Sequence, residues 1–264
     1  EKFENIMSVL GNRAPTFIRV NIKKTNLFSV SEKLKNEGIT SEVCLESRQG
    51  LKILSNFRRV KMTKMFQEGL FEFQDLNSQK VIEDCNLVNQ TKFLDFCAGA
   101  GGKTLCLASL RKGKGDFYAY DINKSKLEKL KVRAKKAGIK IGIIKKKDFS
   151  QVRYKFDCVI LDVPCSGSGA WRRNPQQKWR ITQKKINDLT RLQFILLQQA
   201  KNFLQNNGKL IYITCSFLRT ENERIIEKFL YENPFFSIVK QKNYYPSEDG
   251  DGFYCAELIK RNEF

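Results

Sequence analysis

Four short apolar runs, each closing on a carboxylate or a thiol, constrain the fold of this chain more than any other feature. Phe93-Leu94-Asp95-Phe96 leads into a glycine-rich turn that opens at Cys97, and Phe117-Tyr118-Ala119-Tyr120 ends at Asp121. Phe156 to Asp162 precedes Pro164-Cys165-Ser166, and Lys209 to Thr214 precedes Cys215-Ser216. Such β-rich runs bounded by Gly, Pro or Ser read as buried strands. Helical patterns separate them, at about Lys103 to Arg111, at Lys124 to Ala137 closed by Gly138, and from Lys185 to Gln205 ending before Gly208. A further strand at Ile141 to Ile144 leads to Asp148. A helix at Glu221 to Glu232 and a strand pair at Phe235 to Val239 and Phe253 to Ile259 complete the pattern. Alternation of this kind predicts an α/β fold with a mostly parallel sheet covered on both faces. Ligands of such sheets bind beyond the carboxyl ends of the strands, so Cys165, Cys215 and Asp162 should face one crevice.

Thiols at those positions suggest covalent chemistry, because a thiolate is the strong nucleophile among neutral-pH side chains. The chain has no histidine, which removes Ser-His and Cys-His hydrolase readings. Its eight cysteines form no CxxC pair, so neither a zinc ribbon nor a thioredoxin motif is expected, and no metal. Their scatter fits reduced thiols in the cytosol. No apolar stretch approaches the roughly 20 residues of a membrane helix, and no signal peptide opens the chain. It starts at Glu1 rather than Met, as expected of part of a longer polypeptide. A net charge of +20 favours a polyanionic partner, although a lysine-rich genome raises charge in the same way.

The turn Cys97-Ala98-Gly99-Ala100-Gly101-Gly102-Lys103 is a nucleotide-type loop that leaves a helix N-terminus open to a ligand. It lacks P-loop spacing, and similar loops serve dinucleotides, S-adenosylmethionine and plain turns. Three carboxylates favour a nucleoside cofactor: Asp121 to accept ribose hydroxyls, Asp148 to accept from an adenine amino group, and Asp162 beside the thiols. Each could equally cap a helix or form a turn. A flavin or nicotinamide enzyme would use the same loop but leaves the two thiols without a role. Residues 1–75 differ in pattern. Strands at Phe17 to Asn21, Glu42 to Leu45 and Leu51 to Leu54 and a helix at Ser29 to Asn36 predict a small α+β module, with residues 76–264 as the larger domain.

These motifs together resemble the RNA cytosine-5 methyltransferases of the bacterial 16S ribosomal RNA methyltransferase B (Sun/Fmu) family, related to the NOL1/NOP2/Sun proteins. The similarity runs from about Thr16 to Lys260. It rests on Phe73-Gln74-Asp75 with Ser78-Gln79, the Cys97–Thr104 loop, Asp162–Gly169 and Trp171-Arg172-Arg173-Asn174-Pro175. Thr214-Cys215-Ser216 with Glu221-Asn222-Glu223, and Asp251-Gly252-Phe253-Tyr254, complete the set. Two departures stand out. Ala98-Gly99-Ala100 replaces the common Ala-Ala-Pro, and Ser247-Glu248-Asp249-Gly250 stands where a histidine usually lies near Asp-Gly-Phe.

The resemblance implies a class I, Rossmann-like methyltransferase with a seven-stranded sheet, preceded by an RRM-like module that holds RNA. It implies S-adenosylmethionine as cofactor, held by Cys97 to Lys103, Asp121, Asp148 and Asp162. It further implies that Cys215 adds to C6 of a cytosine, that Cys165 helps break the adduct after methyl transfer, and that Asp162 hydrogen-bonds the base at N3 and N4. Lys103 would support the thiolate. RNA is the expected partner, ribosomal RNA first and tRNA as the alternative, in the cytoplasm. Arg172, Arg173, Lys178 and Arg180, with Trp171 and Trp179, are the expected RNA contacts, while the lysines from Lys124 to Lys147 read as a solvated face. In the first module Arg19, Lys23, Lys24, Arg58, Arg59 and Lys61 are expected to be exposed, and Phe57, Phe71 and Phe73 to lie in the core. A non-catalytic RNA-binding factor on the same fold would need none of the two thiols, Asp162 and Lys103.

Overall fold

A computed structural model describes residues 2–152 and 155–261. The chain builds two sheets. The first comprises helix α1 (Lys2–Gly11), strand β1 (Thr16–Val20), α2 (Leu27–Asn36), β2 (Ser41–Val43), β3 (Gly50–Ile53), α3 (Lys64–Gln67) and β4 (Phe71–Phe73). Its strands lie in the order β2-β3-β1-β4 with antiparallel neighbours, the split βαβ arrangement of ferredoxin-like modules. Alternation along the strands sends Ile18, Val20, Leu51, Ile53 and Phe71 to the helical side, where they bury against Val30, Leu34 and Met65. Phe57 is 37% exposed rather than in this core, because it stands on the polar loop after β3.

The second unit runs α4 (Leu76–Glu83), β5 (Lys92–Asp95), α5 (Gly102–Leu110), β6 (Asp116–Ala119), α6 (Lys124–Ala137), β7 (Gly142–Ile143) and β8 (Phe156–Asp162). There follow α7 (Gln176–Trp179), α8 (Gln183–Ala200), β9 (Leu204–Thr214), α9 (Glu223–Glu232), β10 (Phe236–Tyr244) and β11 (Phe253–Lys260). The sheet order is β10-β11-β9-β8-β5-β6-β7, parallel from β9 to β7 and antiparallel where β11 joins β9 and β10. Strand order therefore reverses between β5 and β8, which opens a crevice at their carboxyl ends. Two apolar clusters, one per face, bury the strands.

Local chemistry explains most boundaries. Asn123 caps α6 by accepting the Ser125 N–H, and Gly138 ends it in the left-handed region at φ +68°. The helix expected to reach Gln205 stops at Ala200. Phe203 and Leu204 are drawn into the core, where Leu204 pairs with Phe156, and the register then skips to Cys158 opposite Lys209. The polar segment Gln205 to Gly208 is thus an irregularity inside β9, not the loop before it. Helix α4, which local pattern did not reveal, is capped by Asp75 and packs on α5 and β11.

The face of the first sheet away from its helices meets the second unit. Arg19, expected to be exposed, is buried: it donates to the Gly102 carbonyl (3.0 Å), to Gln74 and to Glu72 (2.6 Å). Glu72 also accepts from Arg133 of α6 (2.7 Å), whose guanidinium reaches the Ala100 carbonyl. Lys23 and Lys24 donate to the carbonyls of Gly138 and Lys136 (both 2.8 Å) at the end of α6. Lys23 and Lys24 thus stay exposed, as expected, while joining the two units, and Arg19 joins them from the interior.

Candidate active site

Four strand ends converge on the crevice. The loop after β5 turns at Gly101 (φ +89°), where an added Cβ would lie 2.1 Å from Leu130 Cδ1, so only glycine fits. Helix α5 begins there with no side-chain cap, leaving its first amides free. After β6, Asp121 accepts the Gly99 N–H (2.8 Å) and the Asn123 N–H (2.7 Å), which fastens its carboxylate beside the loop. Beneath the loop, buried Asp95 accepts from Thr104 (2.6 Å) and keeps its other oxygen unpartnered. Burial, opposed by that hydrogen bond, pushes the Asp95 pKa up to about 7.

Two clefts open here. The larger, about 1320 Å³, is walled by the 97–102 loop, Asp121, Asp162, Phe149 and the Leu196 face of α8. The smaller, about 820 Å³, lies against the first unit and is lined by Lys103, Phe253, Arg173, Phe57 and Arg58. Asp162 and Cys215 line both. Cys97, Ala98, Gly99, Ala100 and Gly102 of the expected loop face the larger cleft. Gly101 serves the turn, and Lys103 faces the smaller cleft. Asp148 lines neither: it accepts the Lys145 N–H (3.0 Å) in a 3-10 turn, while Lys146, Phe149 and Ser150 beside it reach the wall.

Lys103 is buried and donates to Ser78 (2.8 Å) and Asp162 (3.1 Å). Burial opposes its charge, but the Asp162 carboxylate outweighs that and raises the pKa, so an ammonium persists at neutral pH. The Cys165 and Cys215 sulfurs stand 3.2 Å apart, contact distance for two thiols and too long for a disulfide. The hydrogen bond with Cys215, with burial second, raises the Cys165 pKa well above the ordinary thiol value.

One buried carboxylate ties the two cysteine loops together. Glu221 accepts from the Ser166 N–H (2.8 Å) and hydroxyl, from the Ser216 hydroxyl (2.6 Å) and from Gln193 (3.0 Å). Asn222 accepts from Thr214 (2.6 Å) and donates to the Ser216 carbonyl (2.9 Å). In the sequence, the adjacent Glu221 and Asn222 just after Thr214-Cys215-Ser216 are the local signal of this clamp. The Gly169 backbone abuts Gly252: the Gly252 N–H donates to the Gly169 carbonyl (2.7 Å), and a Cβ on Gly169 would meet that neighbour at 2.2 Å.

The expected RNA-contacting arginines divide. Arg172 is buried, donating to Asp251 (2.6 Å) and the Ser247 carbonyl (2.8 Å), so it anchors the 247–252 loop and cannot meet a phosphate. Arg173 pairs with Asp251 and Asp75 yet keeps its side chain 40% exposed on the smaller cleft. Lys178 and Arg180 are exposed outside both clefts, beside the exposed Trp179. Where a histidine was missing, Asp249 forms an ion pair with Lys52 across the units (2.5 Å). No metal-binding group of three or more His, Cys, Asp or Glu exists among the described residues, and none of their helices is long and apolar enough to cross a membrane.

Residues 84–259 match the family model described as 16S rRNA methyltransferase RsmB/F. A probable ribosomal RNA small subunit methyltransferase B from Synechocystis sp. is 33% identical over 228 residues, 84% of this chain and 51% of its own length. The ribosomal RNA small subunit methyltransferase B of Photorhabdus laumondii is 29% identical over 273 residues, 99% of this chain and 63% of its own length. The chain thus spans between half and two thirds of these relatives. A methyltransferase homologue from Pyrococcus horikoshii shares the fold, with a TM-score of 0.85 at 22% identity, covering 98% of this chain and 91% of that one. Since the family model covers more than half of its residues, the chain belongs to the 16S rRNA methyltransferase RsmB/F family.

Proposed function

We propose that the chain methylates C5 of a cytosine in RNA, 16S ribosomal RNA first, using S-adenosylmethionine, with Cys215 as nucleophile and Cys165 aiding release. The observation that carries this reading is the double lining by Cys215 and Asp162, which gives one sulfur access to both a cofactor-sized and a base-sized cleft. The larger cleft suits the cofactor. Its uncapped helix start and loop amides favour a carboxylate, the fastened Asp121 suits ribose hydroxyls, and Phe149 and Leu196 offer apolar wall. When bound, S-adenosylmethionine supplies an electrophilic methyl group. Methyl transfer to a base nitrogen or a ribose oxygen would give no work to two thiols in contact.

The residues divide the work as follows. The Cys215 thiolate adds to C6, and the C5–C6 π electrons move onto C5, making that carbon nucleophilic. Asp162, steadied by Lys103, hydrogen-bonds the base at N3 and N4 as charge builds there. After C5 has gained the methyl group its proton passes to solvent, the C5–H electron pair re-forms the C5=C6 bond, and the C6–sulfur bond breaks with its electrons returning to Cys215. Cys165, a protonated thiol in contact with Cys215, assists that last step.

Bisulfite mapping of total RNA from cells with and without the gene tests this. One 16S cytosine should lose protection in the deletion, regain it with the wild-type gene and fail to regain it with Cys215→Ala. Protection unchanged in the deletion, or restored by Cys215→Ala, would contradict the proposal. A lost mark in tRNA would redirect the substrate while keeping the chemistry.

A further inference from the structure

We propose that the smaller cleft continues into a channel for single-stranded RNA flanking the target base, with Phe57 as its stacking surface and Arg13, Arg58 and Arg59 as phosphate contacts. This rests on the reading of the chain as an RNA methyltransferase and adds the path of the strand. Phe57 and Arg58 line the cleft that holds Cys215. They also line a second pocket, of about 300 Å³, with Arg13, Asn56 and Arg59, so the two hollows meet at these two residues. Phe57 keeps 37% of its surface exposed, and the Arg13 guanidinium lies 5.7 Å from its ring centre. Arg58 and Arg59 are exposed and enter none of the ion pairs among the described residues.

Four-stranded modules of this topology commonly stack bases on the open face of the sheet. Here that face is covered: Arg19 and Glu72 point from it into the second unit, against Gly102 and Arg133. A stacking surface must therefore lie off the sheet, and the loop after β3 supplies one at the mouth of the active cleft. A flat ring beside free guanidinium groups suits unpaired bases on a phosphate backbone, which pair stacking with charge regardless of sequence. A duplex would hide its base faces from Phe57, and the target cytosine has to leave any stack to reach Cys215.

The test is fluorescence anisotropy of the full chain with a fluorescein-labelled, mixed-sequence RNA strand of roughly 16 nucleotides, and with the same strand annealed to its complement. Phe57→Ala should weaken strand binding about 5- to 100-fold, and Phe57→Trp should restore it. Arg58→Ala with Arg59→Ala should flatten the plot of log affinity against log salt by about 0.7 for each lost phosphate contact. Lys129→Ala with Lys135→Ala, removing equal charge from α6, should leave both quantities near wild type. Phe57→Ala binding like wild type, an equal loss in the α6 pair, or tighter binding of the duplex would each overturn the channel while leaving the enzymatic reading intact. Wild-type protein that binds neither RNA would overturn both.

Discussion

Two sulfurs 3.2 Å apart occupy different surroundings at the centre of this site. Cys215 lines both clefts, while Cys165 lines only the larger, with its proton held by burial and by its partner. On that asymmetry rests our proposal that Cys215 carries addition and Cys165 release. Cys165→Ala is expected to accumulate protein covalently bound to RNA, seen as a retarded band on a denaturing gel, with turnover lost. A Cys165→Ala enzyme turning over at the wild-type rate, or the band appearing in Cys215→Ala instead, would contradict the assignment. Both thiols were legible in sequence because each follows a buried strand, and strand ends are where such sheets place ligands. Arg172 was not legible. Whether a guanidinium faces RNA or the interior depends on a partner, here Asp251, that lies 79 positions away.

At the carboxyl ends of β8 and β9 the important element is the pair of cysteine loops, and Glu221 ties them together. Its carboxylate accepts from Ser166 on one loop and Ser216 on the other, so it holds the loops together without touching either sulfur. Glu221→Ala leaves several buried donors unpaired and should cost about 3 kcal/mol of stability. Measured where the variant is folded, kcat should fall while KM for RNA changes little, and Glu221→Gln should recover part of the loss. Unchanged kcat in a folded Glu221→Ala protein would remove the positioning role. At this scale the alternation of strands and helices was readable from β5 onward, though not in α4 before it, and α6 matched at both ends because Asn123 and Gly138 are local signals. The passage from α8 into β9 was not, because tertiary burial of Phe203 and Leu204 decided it.

Across the whole molecule, the first unit is built into the architecture of the larger cleft. Arg19 and Arg133 share Glu72 and hold the carbonyls of Gly102 and Ala100. Burial would raise the Glu72 pKa, but the two guanidinium groups lower it below the ordinary 4.5. Its stabilising contribution is therefore full above about that pH and is lost as pH falls through the lowered value. Glu72→Gln should lower stability by about 2 kcal/mol near neutrality and weaken binding of S-adenosylmethionine, and the stability gap should close in acid. Melting curves across pH and calorimetric cofactor titration check this, and equal cofactor affinity would show that the clamp does not shape the loop. The charge total hinted at RNA, yet Arg19, Lys23 and Lys24 proved to join the two units. Composition counts cations without saying which of them the fold consumes.

The most direct measurement is mass spectrometry of the adduct formed with 16S ribosomal RNA transcribed with 5-fluorocytidine in place of cytidine. Fluorine at C5 cannot leave as a proton does, so methyl transfer should strand the nucleotide on the protein. After digestion, a methylated fluoropyrimidine nucleotide on the peptide containing Cys215 is the predicted result. A nucleotide on the Cys165 peptide, or methylated RNA with no attached protein, would contradict the account.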